Sequence, residues 1–255
     1  MTGRLPDSDA AERIQPLLSA FRLPTVREEL VVRLRQEGHE DALETIASEL
    51  ELEADARKER RVTRLRSASK LPPGKTFDTL QLDRFGRKLQ HHLRDLARGT
   101  FIRDCINVLA FGLPGVGKSH AACAIGHALV DAGISVYFTP AYKLVQELRA
   151  AKEALTLPRL LHRLDRFEAL LLDDLGYVKQ TPEDAEVLFT LLAELYERRS
   201  LIITSNLVFS DWERIFGNPM ATAAAIDRVV HHSVILEFDV PSYRSDAANY
   251  RQSKK

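Results

Sequence analysis

Apolar residues in the first part of the chain recur about every three to four positions, the spacing of helical faces. Leu17, Leu18, Phe21, Leu23, Val26, Leu30, Val31 and Leu34 follow it, and Pro24-Thr25 marks the start of a second helix. A third helix begins near Glu40, with Ala42, Leu43, Ile46, Ala47 and Leu50 on one face, and runs to about Ser67. Residues 1–10 are polar and read as a frayed end. Residues 10–68 therefore read as a small all-helical domain. Lys70-Leu71-Pro72-Pro73-Gly74-Lys75 reads as a linker, because Pro and Gly end helices. A basic connecting helix completes the segment 69–100.

From Phe101 the pattern changes. Short apolar runs at 106–111, 134–138, 168–173, 201–204 and 233–238 read as buried strands. Helical patterns fill the gaps at 118–132, 141–152, 157–165, 183–199 and 221–230. Strands alternating with helices predict an α/β fold, a mostly parallel five-stranded sheet covered on both faces. This domain spans 101–246, and 247–255 is a tail.

The chain of 255 residues holds 36 Lys and Arg against 36 Asp and Glu, so net charge alone names no partner. Its distribution does. From Arg57 to Arg103 there are fourteen basic and four acidic residues, a net of about +10, suited to a polyanion. Arg57, Lys58, Arg60, Arg61, Arg64 and Arg66 are the candidate phosphate contacts. The two cysteines, Cys105 and Cys123, have no metal-binding spacing and read as buried thiols. No leader pattern and no apolar run of membrane-spanning length is present, which predicts a cytoplasmic protein with no membrane partner.

The strongest chemical signal is Gly112-Leu113-Pro114-Gly115-Val116-Gly117-Lys118-Ser119, which fits G-x-x-x-x-G-K-[ST]. It lies between a predicted strand and an alanine-rich helix, the context such a phosphate loop requires. Glycines let successive backbone N–H groups point at phosphate oxygens. Lys118 supplies charge to the β- and γ-phosphates, and Ser119 offers a hydroxyl to Mg²⁺. Gly112, Pro114, Gly115, Val116, Gly117, Lys118, Ser119 and His120 are the expected ATP contacts. Glu168 to Asp174 is an apolar strand ending in two carboxylates. Asp173 is placed on Mg²⁺, and Asp174 on the attacking water. Asn206, at the end of the run 201–205, is a candidate γ-phosphate or water contact. Arg228, near the end of a helix, is either a solvated charge or an arginine that reaches a neighbouring subunit's nucleotide.

His91-His92 and His231-His232 are not assigned to metal, since adjacent helical residues diverge. No structural metal is expected. Phe77, Phe85 and Phe101 read as packing residues, and Trp212 as an anchor for its loop.

Several runs are similar to AAA+ ATPases, and within them to the IstB-like ATP-binding proteins that assist insertion-sequence transposition. They are 115–120, 172–177, 203–206 with 209–212, 216–219, 226–232 and Ser242-Tyr243-Arg244. The resemblance covers about 17–244. It implies that the strand ending at Asn206 lies between the phosphate-loop strand and the strand ending at Asp173. It also implies ATP-dependent self-assembly on double-stranded DNA and recruitment or activation of a transposase. It carries over Asn206 as a γ-phosphate sensor, Arg228 as a finger acting between subunits, and Arg244 as a terminal arginine. Many AAA+ proteins have Asp-Glu where this chain has Asp173-Asp174. The shorter side chain implies slow hydrolysis, and assembly on DNA implies that DNA stimulates it. Val240 stands where the family often has Gly, and no helical lid fits after Phe238. A DnaC-like helicase loader and an ATP-binding adaptor with little hydrolysis remain the alternatives.

Overall fold

The computed structural model describes residues 9–177 and 181–243. The chain divides into two compact units, one running to Thr63 and one starting at Arg64. The first unit holds α1 (Ala10–Ala20), α2 (Pro24–Gln36) and most of α3 (Ala42–Ser69). Its core is small: Ala11, Ile14, Leu18, Val31, Leu43 and Ala47. Arg13 adds bonds of 2.9 Å to both Glu44 and Glu51, tying α1 to α3 within this unit.

The second unit contains the sheet. In chain order its elements are α4 (Arg87–Ala97), β1 (Asn107–Gly112), α5 (Lys118–Asp131), β2 (Val136–Pro140), α6 (Ala141–Glu153), α7 (Leu157–Leu164) and β3 (Ala169–Asp173). Then follow α8 (Pro182–Leu195), β4 (Ser200–Ser205), α9 (Glu213–Phe216), α10 (Pro219–Val230) and β5 (Ser233–Phe238). The five strands are parallel, in the order β2-β3-β4-β1-β5. β4 thus lies between β1 and β3, as the family resemblance implied.

Why the strands read as unbroken apolar runs is visible in the packing. Along β1, Val108 and Ala110 face one core while Leu109 and Phe111 face the other. Leu171 and Ile202 join the first core; Leu170, Leu172, Leu201 and Ile203 join the second. The side chains alternate, but both faces are covered, so both need apolar residues.

Several boundaries differ by one to four residues from the sequence expectation, and those of β2 and α8 do so for visible local reasons. β2 starts at Val136, not 134: Ile134 N–H caps α5 through Leu129 O at 2.9 Å, and the Ser135 hydroxyl donates to Glu168 at 2.8 Å. α8 ends at Leu195, not 199, because Tyr196 turns extended and Glu197 takes φ 55°. Its start at Pro182 is set by a capping box, with Thr181 and Asp184 each accepting from the other's backbone N–H. Cys123 is buried, but Cys105 is only half-buried, contrary to the expectation of two buried thiols.

The expected linker is a packed strap. Leu71 and Leu80 are buried in the core shared with α5. His127 of α5 donates to Pro72 O at 3.0 Å. His120, one residue into α5 from Ser119, donates from Nε2 toward Thr76 O (3.2 Å) and Thr79 Oγ1 (3.0 Å). Phe85 is buried, edge-on to Phe238 with ring centroids 5.3 Å apart. Phe77 and Phe101 pack in the same core, so the three phenylalanines are structural. No described helix is long and apolar enough to cross a membrane.

Candidate functional site

The site forms where the parallel strands end. The turn after β1 is the phosphate loop, and α5 starts at its lysine. Gly112, Gly115 and Gly117 have φ of 149°, 84° and 101°, a region L side chains rarely adopt. Gly112 also approaches β5 so closely that a Cβ there would sit 2.5 Å from Phe238 O. Val116 is buried in the core and anchors the loop from beneath. Lys118 is nearly buried, and its Nζ donates to Gly112 O and Leu113 O at 2.8 Å each. The ammonium is thereby arched over the loop, and the aligned N–H groups of α5 add a positive end beneath it.

Pro114, Gly115, Gly117, Lys118, Ser119, His120, Asp173, Asp174 and Asn206 line one cavity of about 530 Å³. That is within the range of small-molecule sites. β3 delivers the carboxylates. Asp173 is 7 % exposed, and Thr204 Oγ1 donates to its Oδ1 at 2.6 Å. The same hydroxyl accepts from Asp174 N–H at 2.9 Å. Thr204 therefore fixes both acids from the neighbouring strand. Asp174 stands at φ 59°, a left-handed turn that Asp tolerates. A hydroxyl on Ser119 and the remaining oxygen of Asp173 form a hard-oxygen pair that fits Mg²⁺.

Asn206 follows β4 and shares the cavity wall. Among the described residues its buried Oδ1 has no hydrogen-bond partner, and it lies against Gly176, where an added Cβ would overlap it. Only glycine at 176 leaves room for this amide. Trp212 is fully buried and donates from Nε1 to Leu207 O at 3.3 Å, which pins the loop after Asn206 as the sequence suggested.

The wall has further members. Tyr142, Tyr243 and Lys75 also line the cavity. Tyr243 N–H donates to Gly115 O at 3.0 Å, and Arg84 donates to Pro241 O at 3.1 Å, so the Ser-Tyr segment docks on the phosphate loop. Arg244 lies outside the described residues. Thr204, Gly176, Tyr142 and Lys75 carried no role in the sequence reading. A hydroxyl two residues before Asn206 and a Gly three after Asp173 were the available signals for the first two.

Burial chiefly holds the His120 imidazole below its ordinary value, and the nearby Lys75 charge acts the same way. Burial pushes the Cys123 thiol up to about 12, which leaves it an inert packing group.

Arg228 is not in this cavity. It lines a separate cavity of about 290 Å³ with Asn107, the first residue of β1. Asn107 Nδ2 donates to Val229 O (3.0 Å), and its Oδ1 accepts from Leu201 N–H (2.9 Å), so the end of α10 is clamped to the starts of β1 and β4. Arg228 Nη1 donates to Ala224 O at 2.8 Å, and its guanidinium lies 4.9 Å from the Phe189 ring centroid. Six residues of strand, roughly 17–20 Å, separate this edge from the phosphate loop.

His231 and His232 do not diverge as two helical neighbours would. His231 ends α10 and His232 lies past it; the rings are 4.2 Å apart and both approach Glu197 Oε1, at 4.0 and 3.8 Å. All three are exposed. His91, the other candidate, pairs with Asp95 at 3.0 Å.

The candidate phosphate contacts on α3 are exposed. Arg57 and Arg60 pair with Glu53 at 2.6 and 3.2 Å, and Arg57 lies over the Phe21 ring. Arg66 pairs with Asp131 at 2.6 Å. Lys58, Arg61 and Arg64 share the helix.

The sequence pattern of the IstB-like ATP-binding proteins matches residues 22–251. The chain belongs to this family. An insertion-sequence ATP-binding protein of Sinorhizobium fredii, y4iQ/y4nD/y4sD, is 39% identical over 240 residues, 92% of this chain and 80% of that one. The ATP-binding protein of insertion sequence IS5376 from Geobacillus stearothermophilus is 34% identical, covering 81% of this chain and 82% of its own. Among solved structures, domain III of the Thermotoga maritima replication initiation protein DnaA matches with a TM-score of 0.55 at 17% identity, over 71% of this chain and 74% of that one. DnaI matches at 0.53 and 17%, over 66% and 94%. These likenesses show the AAA+ P-loop fold, in which this IstB-like chain keeps its phosphate loop, acid pair and Asn206 around one cavity.

Proposed function

We propose that this IstB-like protein is an ATPase that helps an insertion sequence transpose. It assembles with copies of itself on double-stranded DNA and recruits or activates the transposase of its element. The observation that carries the reading is the separation of two half-sites. The phosphate loop and acids sit at one edge of the sheet, and Arg228 sits at the other. A head-to-tail neighbour would bring its Arg228 to the open cavity, which makes the reactive unit two chains.

The loop N–H groups and Lys118 bind the β- and γ-phosphates. Ser119 and Asp173 would hold Mg²⁺, which when bound offsets phosphate charge. Asp174 orients a water and takes its proton as the water oxygen bonds to the γ-phosphorus. The bond to the β-phosphate oxygen breaks, and ADP and phosphate leave. Asn206 positions the γ-phosphate or the water, and the neighbour's arginine stabilises charge in transfer. Asp174 reaches less far than Glu, so turnover is slow until DNA aligns the subunits.

DNA contact falls to α3. Exposed ion pairs such as those of Arg57, Arg60 and Arg66 are screened by water and salt and contribute little, so these arginines exchange their partners for phosphates at little cost. Phosphate contacts without base contacts make binding sequence-tolerant and salt-sensitive. The names of the relatives, all insertion-sequence ATP-binding proteins, support the transposition role.

The test is turnover against protein concentration, with and without duplex DNA. The expected rate rises more steeply than linearly and is stimulated by DNA. A linear rate unaffected by DNA would mean a site complete within one chain.

A further inference from the structure

The strap over residues 70–86 is composed like a linker but folds as part of the nucleotide-site wall. Three contacts hold it along α5: Leu71 against Gly126, Pro72 O on His127, and Thr76 O with Thr79 Oγ1 on His120. Thr79 Oγ1 gives its own proton to Gly74 O at 2.6 Å, so it accepts from His120, and the ring proton sits on Nε2. These bonds bracket Lys75. Its side chain is half-buried and lines the cavity beside Lys118, Ser119 and Asp173. Lys75 and Asp173 both act on the Cys123 thiol through their charges, so both lie near the same stretch of α5.

An ammonium in this wall shares the cavity with Ser119 and Asp173, the residues assigned to Mg²⁺. We propose that Lys75 is a second phosphate-binding lysine of this site, engaging the terminal phosphate, so that the strap distinguishes ATP from ADP. The proposal rests on the ATP-site reading above. Physically, a half-buried ammonium gains most from a negative charge brought into its own cavity, and the terminal phosphate is the charge that ATP has and ADP lacks. Because His120 follows Ser119 directly, its bonds tie the strap to the end of the loop. The strap also leads directly back into α3, which carries the candidate DNA contacts.

The experiment is calorimetric titration of the full chain with AMP-PNP and with ADP, each with Mg²⁺, for the parent, K75Q, K75R and K118A. K75Q is expected to weaken AMP-PNP about tenfold and ADP less than about twofold, the scale of one charge-assisted contact. K75R keeps the charge and stays within about threefold of the parent for both. Amide exchange over residues 71–80 slows with AMP-PNP more than with ADP in the parent, and equally with both in K75Q. Equal weakening of both nucleotides by K75Q, or no weakening of either, overturns the assignment. A parent chain that binds neither nucleotide, or a K118A chain that binds both normally, overturns the ATP-site reading and this proposal with it.

Discussion

Where the strands of the sheet end, side chains are few, small and supported. Glycines occupy left-handed positions, Asp173 is nearly buried, and one threonine hydroxyl holds both acids. Where the strands begin, the groups are longer and looser: Arg228 stacked on Phe189, two histidines side by side, and an exposed glutamate. The first edge is preorganised for a small anion that must be met in one geometry. The second presents reach and charge. Under the proposed function, the difference makes each end of the chain one half of an active site.

The sharpest way to break this comparison is to remove chemistry from the first edge only. Asp174→Asn keeps shape but cannot accept a proton, so turnover falls by about a hundredfold or more while AMP-PNP binding stays near the parent's. Steady-state phosphate release and calorimetry check the two halves of that statement. Parent-like turnover would remove Asp174 from the water-activating role.

A smaller loss comes from steric support. Gly176→Ala overlaps Asn206 Oδ1, and the amide must swing away. We expect turnover to fall about tenfold with nucleotide affinity within a few fold. A crystal structure with Asn206 unmoved, or parent turnover, would contradict it.

At α3, Arg60, Arg61 and Arg64 reversed together to Glu weaken duplex binding for all sequences alike and flatten the salt slope by about one for each DNA phosphate no longer engaged. Fluorescence anisotropy at several salt concentrations reads both.

The smallest effect is at His120. Its folded-state pKa is depressed, so its part of stability is whole above the unfolded value of about 6.5 and declines as pH falls from there toward the folded pKa. Denaturant midpoints between pH 7.5 and 5 should lose that part in His120→Gln. An identical pH dependence in the two proteins would show that His120 does not anchor the strap.

Much of the first edge is legible in the sequence, since each half of it is a strand followed by a required residue type. Gly117-Lys118-Ser119, Asp173-Asp174 and Asn206 stand at strand ends that their apolar runs announce. Thr204 was less legible, because a hydroxyl inside a strand looks like any other until register places it beside Asp173. Gly176 depends on a contact with a residue thirty positions away. Lys75 was hidden by composition: Pro72-Pro73-Gly74 forbids a helix but does not forbid packing, and the contacts of Leu71, Leu80 and the histidines of α5 show where the strap lies. The His231–His232 pair misled for the opposite reason, since a rule for helix interiors does not hold at a helix end.

The most direct measurement is complementation between two inactive variants. Arg228→Ala retains the nucleotide half-site, and Lys118→Ala retains the finger. Mixed one to one on duplex DNA, about a quarter of head-to-tail boundaries pair an intact cavity with an intact Arg228. The account predicts that each variant alone is nearly inactive and that the mixture recovers a corresponding share of parent ATPase activity. No recovery in the mixture, or full activity of Arg228→Ala alone, would contradict it.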